Sequence, residues 1–118
     1  MKIYVSTIMP NNNMISLMNM VNKYEIPFKV HFSLHSPFDN LRKDLIPSGN
    51  TTVEKALKYL KEYRIMFRNN KNIVNKYIKL HKTDDTTEIH YTLIKDVNDS
   101  SKELKELCEL LNIYIKYQ

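Results

Sequence analysis

Ser33 and His35 stand two residues apart in the run Lys29-Val30-His31-Phe32-Ser33-Leu34-His35-Ser36-Pro37, with a further imidazole at His31. Val30, Phe32 and Leu34 alternate with these polar residues, the period of a strand with one apolar and one polar face. Pro37 cannot donate to a ladder and restricts Ser36, so the strand ends there. A hydroxyl and an imidazole at the carboxyl end of a strand can hydrogen-bond a polar ligand, and α/β folds bind their ligands at such ends. Another hydroxyl, Ser6, closes the short alternating run from Lys2 to Ser6. The same residues also have a plainer use, Ser33 satisfying a neighbouring backbone group and His35 bonding a loop carbonyl. On the residues alone both readings stand.

Other chemistries find less support. The single cysteine, Cys108, excludes an internal disulfide and a multi-thiolate metal site. The single glycine, Gly49, excludes the glycine-rich loops that let a backbone approach phosphate closely. His31, His35, His81 and His90, with Asp39, show no helical i,i+4 pair or short ligand motif, so no metal ligands are assigned. A Ser/His/Asp hydrolase would need a strand-turn-helix elbow with flanking glycines, which is absent.

The elements that position Ser6, Ser33 and His35 follow from periodicity. After the strand at Lys2 to Ser6, Asn11-Asn12-Asn13 offers an N-cap, and Met14, Leu17, Met18 and Val21 then form one helical face. The strand Lys29 to Leu34 leads to a loop from Ser36 to Asn50. Thr51-Thr52-Val53-Glu54 has capping-box spacing, and Val53, Ala56, Leu57, Leu60, Tyr63 and Phe67 predict a helix to Arg68. Residues 69–87 are polar, and Ile73, Tyr77, Ile78 and Leu80 allow a short helix inside them. Glu88 to Ile94 alternates as a third strand, followed by turn chemistry at Val97-Asn98-Asp99. Ser100 to Glu103 is a second capping box, Leu104, Leu107, Cys108 and Leu111 form a stripe expected to be buried, and Asn112 to Ile115 begins a fourth strand. Alternation with crossover helices implies parallel pairing.

Three pieces in register carry a family resemblance. Ser33-Leu34-His35-Ser36-Pro37, with Asp39, Leu41-Arg42 and Leu45-Ile46-Pro47, resembles the "SLHAPND..R..L.P" segment of the radical-SAM rRNA adenine methyltransferases of the RlmN and Cfr type. Tyr4-Val5-Ser6-Thr7 resembles their "VSTxG" strand, and Tyr91 to Asp99 their "YTLIKGVND" strand and turn. The resemblance runs from about Lys2 to Leu111 but covers only the middle of a family member. It implies part of a (β/α) barrel, about four parallel strands alternating with three or four helices. It also implies S-adenosylmethionine across the strands' carboxyl ends, with Ser6, Ser33, Leu34 and His35 touching it through hydroxyl and backbone hydrogen bonds. The family's activity is methylation of C2 of an adenine in large-subunit rRNA, its chemistry uses a 4Fe-4S cluster, and the RNA partner expected is large-subunit rRNA or tRNA. The Cys-x3-Cys-x2-Cys loop that ligates the cluster, the "GMGEP" strand, the "NP" segment and the methyl-carrying cysteine are all missing here. This polypeptide alone is therefore expected to be inactive in radical chemistry. Phe38 and Asp96 also depart from the family pattern, at its "PND" and "KGVND" positions, and the resemblance makes the polar stretch 69–87 an insertion, since the family's helix passes more directly into the next strand.

With 118 residues the chain reads as one domain, and no apolar run approaches the length of a membrane span. It opens directly into strand-like sequence without the regions of a signal peptide, so the expected location is intracellular, cytoplasmic or organellar. Net charge is +5, with basic residues concentrated from Lys55 to Lys82 against Glu54 and Glu62. That stretch is either a solvated helix face or a contact for RNA phosphates. It supplies the alternative reading, a non-catalytic α/β domain binding RNA or a protein partner. First and last strands without neighbours would be open edges, which favours self-association.

Overall fold

The computed structural model describes residues 3–9, 13–47 and 51–116. Its elements run β1 (Tyr4–Thr7), α1 (Asn13–Tyr24), β2 (Lys29–Ser33), α2 (Asp39–Leu45), α3 (Val53–Arg68), α4 (Lys71–His81), β3 (Thr87–His90) and α5 (Ser101–Lys116). The fold is α/β, with three parallel strands in the order β1-β2-β3. Sequence order and spatial order coincide, as they do for consecutive strands of a barrel wall.

The alternation in β2 sorts its side chains. Val30, Phe32 and Leu34 are wholly buried under the helices. His31 lies opposite Ser6 of β1 and Glu88 of β3, and Ser33 opposite His90. Because paired residues point to the same side, these polar residues share the other face. The core consists of that apolar strand face, Met14 and Val21 of α1, the Val53-to-Phe67 stripe of α3, and Ile73 and Tyr77 of α4. At about 25 cal/mol per Å² of apolar area, such burial is the main favourable contribution to folding.

Helix termini are set by local chemistry. Helix α1 closes with Glu25 in the left-handed region (φ 52°) while the Ile26 amide donates back to the Val21 carbonyl, a Schellman ending. Helix α3 is capped by Thr52, whose side chain accepts from the Lys55 amide, so the cap lies one residue beyond the position that capping-box spacing gives to Thr51. The Ser100 hydroxyl accepts from the Glu103 amide at the start of α5, as its own capping-box pattern predicts.

Four expectations need correction. There is no fourth strand at Asn112 to Ile115, because α5 continues to Lys116. Leu111 and Ile115 extend its i,i+4 spacing, and neither Gly nor Pro interrupts it. The described chain thus has three strands and five helices, not four strands with three or four helices. Second, the loop after Pro37 contains α2. The short helix that Ile73, Tyr77, Ile78 and Leu80 allow within residues 69–87 is present as the eleven-residue α4, which buries Ile73, Tyr77 and His81. Third, β3 ends at His90 rather than Ile94. The amides of Thr92 and Ile94 donate to the side chains of His35 and Asn98 instead of to a neighbouring strand. Fourth, Cys108 is exposed, and α5 packs on the core through Leu107 and Leu110.

Candidate functional site

Two buried polar side chains build the carboxyl side of the sheet. Arg42, the most buried charge (1% exposed), reaches back from α2. Its Nε donates to the Leu34 carbonyl (3.1 Å), and its terminal nitrogens donate to the carbonyls of Ser33 (3.0 Å), Ile8 (2.7 Å) and Thr51 (3.4 Å). The guanidinium also lies 4.9 Å over the Phe32 ring. One planar fork therefore gathers the ends of β1 and β2 and the approach to α3. Burial lowers the Arg42 pKa while Asp39 opposes the shift, and Asp39 itself accepts from the Val53 amide at the start of α3.

Asn98 does the same for β3. It is fully buried, its amide nitrogen donating to the carbonyls of His35 (2.7 Å) and Thr92 (2.8 Å) and its oxygen accepting from the Ile94 amide (2.7 Å). The loop after β2 is thereby tied to the loop after β3. Sequence reading takes Arg42 as part of a motif and Asn98 as turn chemistry, and assigns neither to the site. The available signal is a charged residue and an amide beside apolar neighbours, which does not reveal burial.

Among the residues singled out for the site, Ser6 is exposed and Ser33 half-buried on the shared polar face, without intramolecular side-chain hydrogen bonds among the described residues. Leu34 is fully buried. Its amide donates to the His90 carbonyl and its carbonyl accepts from Arg42, so it locks the strand end. His35 adopts the left-handed region (φ 58°), an uncommon conformation for a residue with a Cβ and one that clusters at functional sites. Its Nδ1 accepts from the Thr92 amide (2.9 Å), which leaves the ring proton on Nε2. Burial first, then Arg42 and His90, lower its pKa and favour this neutral form. Of the two plainer uses, Ser33 shows no side-chain bond to a neighbouring backbone group among the described residues, and His35 bonds a loop amide rather than a loop carbonyl, so two hydroxyls and one Nε2–H donor remain uncommitted among the described residues.

The polar sheet face carries a second constellation. His31, Glu88 and His90 come together across β2 and β3, with ligand-type atoms all within 4.8 Å of one another. The rings of Tyr4 and His31, and of His31 and His90, lie tilted to one another with centroids 4.6 Å apart. Sequence reading considers two of these histidines but not Glu88, because strand register cannot be read from one sequence.

The other predicted features disperse. His81 donates from Nε2 to the Pro27 carbonyl (3.1 Å) beneath Tyr77, a structural role near the amino ends of the strands. The basic stretch is not one solvated strip: Arg64 is buried, while Lys58, Arg68, Lys71, Lys76, Lys79 and Lys82 are exposed along α3, α4 and the α4 cap. Among the described residues no helix is long and apolar enough to cross a membrane.

No family model matches the chain, and no solved structure matches it. Among curated proteins, 88 of its residues are 38% identical to the "Probable dual-specificity RNA methyltransferase RlmN" of Clostridioides difficile (strain 630), covering 74% of this chain and 21% of that protein. Proteins of the same name match over 88 residues at 33% identity in Alkaliphilus metalliredigens (strain QYMF) and 34% in Finegoldia magna (strain ATCC 29328 / DSM 20472 / WAL 2508). These cover 74% of the chain in each case, and 20% and 21% of the relatives. The match thus spans about a fifth of the length of the curated relatives. In sequence, the chain belongs to the RlmN-type RNA methyltransferase family.

Proposed function

We propose that the chain is a wall segment of a (β/α) barrel in an RlmN-type methyltransferase, and that the carboxyl ends of its strands hold S-adenosylmethionine. The whole protein's reaction would be methylation of C2 of an adenine in large-subunit rRNA. The carrying observation is the parallel sheet, in which Ser6 and Ser33 share one face and His35 is held at the end of β2 as a neutral donor. Hydroxyls and an Nε2–H there suit the hydroxyl and nitrogen acceptors of an adenosyl group. Leu34, Arg42 and Asn98 hold this rim, their hydrogen bonds spent on backbone. The domain reading keeps residues 1–118 as one unit, with 69–87 as a family insertion that α4 has made part of the core.

S-adenosylmethionine, when bound, supplies the methyl group. The family's iron-sulfur cluster does not fit this chain: it needs three thiolates, and the one cysteine present, Cys108, is exposed on α5. No step of the reaction is therefore assigned to these residues. Their part is to bind and orient the nucleoside end of the cofactor.

The test is a chimera in which this chain replaces the aligned segment of the C. difficile relative. A folded, cluster-loaded chimera is expected to bind S-adenosylmethionine and to methylate adenine C2 in 23S rRNA, read by primer extension. The double change Ser33→Ala with His35→Asn is expected to weaken cofactor binding at least about tenfold, roughly 1.4 kcal/mol. A folded chimera that binds no cofactor, or binding indifferent to both changes, ends the reading.

A further inference from the structure

His31 Nε2 and His90 Nε2 each lie 3.0 Å from the same carboxylate oxygen, Oε2 of Glu88. The His90 contact is a hydrogen bond, whereas His31 Nε2 is buried and has no hydrogen-bond partner. Leaving such a nitrogen unsatisfied costs about 1–3 kcal/mol, and with the ring proton on Nδ1 it presents a lone pair for a cation to take. We infer that His31, Glu88 and His90 form a binding site for a divalent transition-metal ion of the zinc type, on the face of the sheet opposite the helices.

The donor set suits that class. Imidazole favours Zn²⁺, Co²⁺ and Ni²⁺, and two imidazoles with one carboxylate leave a further position open. Metal bonds of about 2.0–2.1 Å in tetrahedral geometry put neighbouring donor atoms about 3.3 Å apart. Both Glu88–histidine separations are already within a few tenths of an ångström of that value. The two nitrogens, within 4.8 Å of each other, need a modest approach. The half-exposed side chains of Glu88 and His90 (each 47% exposed) have room to make it, while His31 (16% exposed) is fixed by its strand and by the Tyr4 ring. Register supplies the rest. Glu88 and His90, two apart on β3, project to one side, and β2 sets His31 opposite Glu88. Lys29 acts on both His31 and Glu88 and is the positive charge an incoming cation works against. The inference stands apart from the cofactor reading, since it uses none of Ser6, Ser33 or His35.

The test is calorimetric titration of the chelator-treated 118-residue chain with Zn²⁺, paired with visible absorption of the Co²⁺-loaded chain. One ion per chain at micromolar affinity or tighter is expected, with Co²⁺ bands of four- or five-coordinate geometry. Glu88→Ala and His90→Phe, both at half-exposed positions, are each expected to weaken binding at least tenfold with the far-ultraviolet circular dichroism unchanged. His35→Asn is expected to leave it unaltered. Absence of binding at millimolar Zn²⁺, or affinity that survives both the Glu88 and His90 changes, overturns the assignment.

Discussion

Arg42 shows how much one side chain holds in this molecule. Its guanidinium donates to four backbone carbonyls, so truncation takes a donor from each of these acceptors as well as removing a charge. Arg42→Ala is expected to cost about 3–5 kcal/mol in urea denaturation, a large share of what a small domain possesses. Arg42→Lys should recover little of it, since an ammonium cannot span the fork. His35 yields a pH prediction. Its folded-state pKa is lowered by burial, by Arg42 of α2 and by His90 of β3, so protonation favours the unfolded chain. Stability should therefore decline as pH falls below about 6.5, where the unfolded imidazole begins to titrate. His35→Asn keeps a residue that tolerates positive φ and an acceptor for the Thr92 amide, and removes the titration. Thermal melts between pH 8 and 5 are expected to show a shallower decline for the variant; parallel curves would remove His35 from the acid response. The motif around Ser33 and His35 was legible because it is local and alternating. Arg42 and Asn98 were not, because whether a polar residue is buried depends on where distant backbone carbonyls arrive.

At the scale of elements, the sheet is clamped at both ends of its strands. Arg42 and Asn98 hold the carboxyl ends; tyrosines hold the other. The Tyr63 hydroxyl on α3 donates to the Phe28 carbonyl (2.6 Å), and the Tyr77 hydroxyl on α4 donates to the Asp85 carbonyl. Burial raises both phenol pKa values above the ordinary range, so the hydroxyls stay protonated donors. This makes α4 part of the core rather than a removable excursion, although its segment reads as an insertion. Ile73→Ala is accordingly expected to cost about 2–5 kcal/mol in denaturant, the range for a fully buried aliphatic residue. A loss within 0.5 kcal/mol would return the segment to the status of an appendage. Helix α3 was legible from end to end because six apolar residues repeat along sixteen positions. The end of α5 was not. Four residues with Ile113 and Ile115 two apart satisfy a strand period as well as a helix period, and only the continuation from Leu111 decides between them.

The whole molecule is elongated, 44 × 25 × 24 Å, with a radius of gyration of 14.9 Å against about 13.5 Å for a compact chain of this length. One sheet face is sealed by helices, while the other keeps Tyr4, Glu88 and His90 at or near half exposure. Among the described residues nothing pairs with the outer sides of β1 and β3. The two edges differ in their protection. Strand β3 carries Glu88, whereas Tyr4-Val5-Ser6-Thr7 has no charge to discourage another strand. Edge pairing should therefore begin at β1, and only at high concentration, because four residues supply few ladder bonds. Sedimentation velocity from about 5 to 500 µM is expected to show a reversible rise in mean mass, weakened by added salt much less than a charge-driven contact would be. Tyr4→Lys puts an ammonium on that strand at a position already 46% exposed and should hold the chain monomeric throughout the range. If the Lys variant associates as readily as the parent, β1 is not the surface involved. An edge that accepts a second copy is also one that a neighbouring barrel strand could occupy, so the same variant should impair a chimera in which that strand is present.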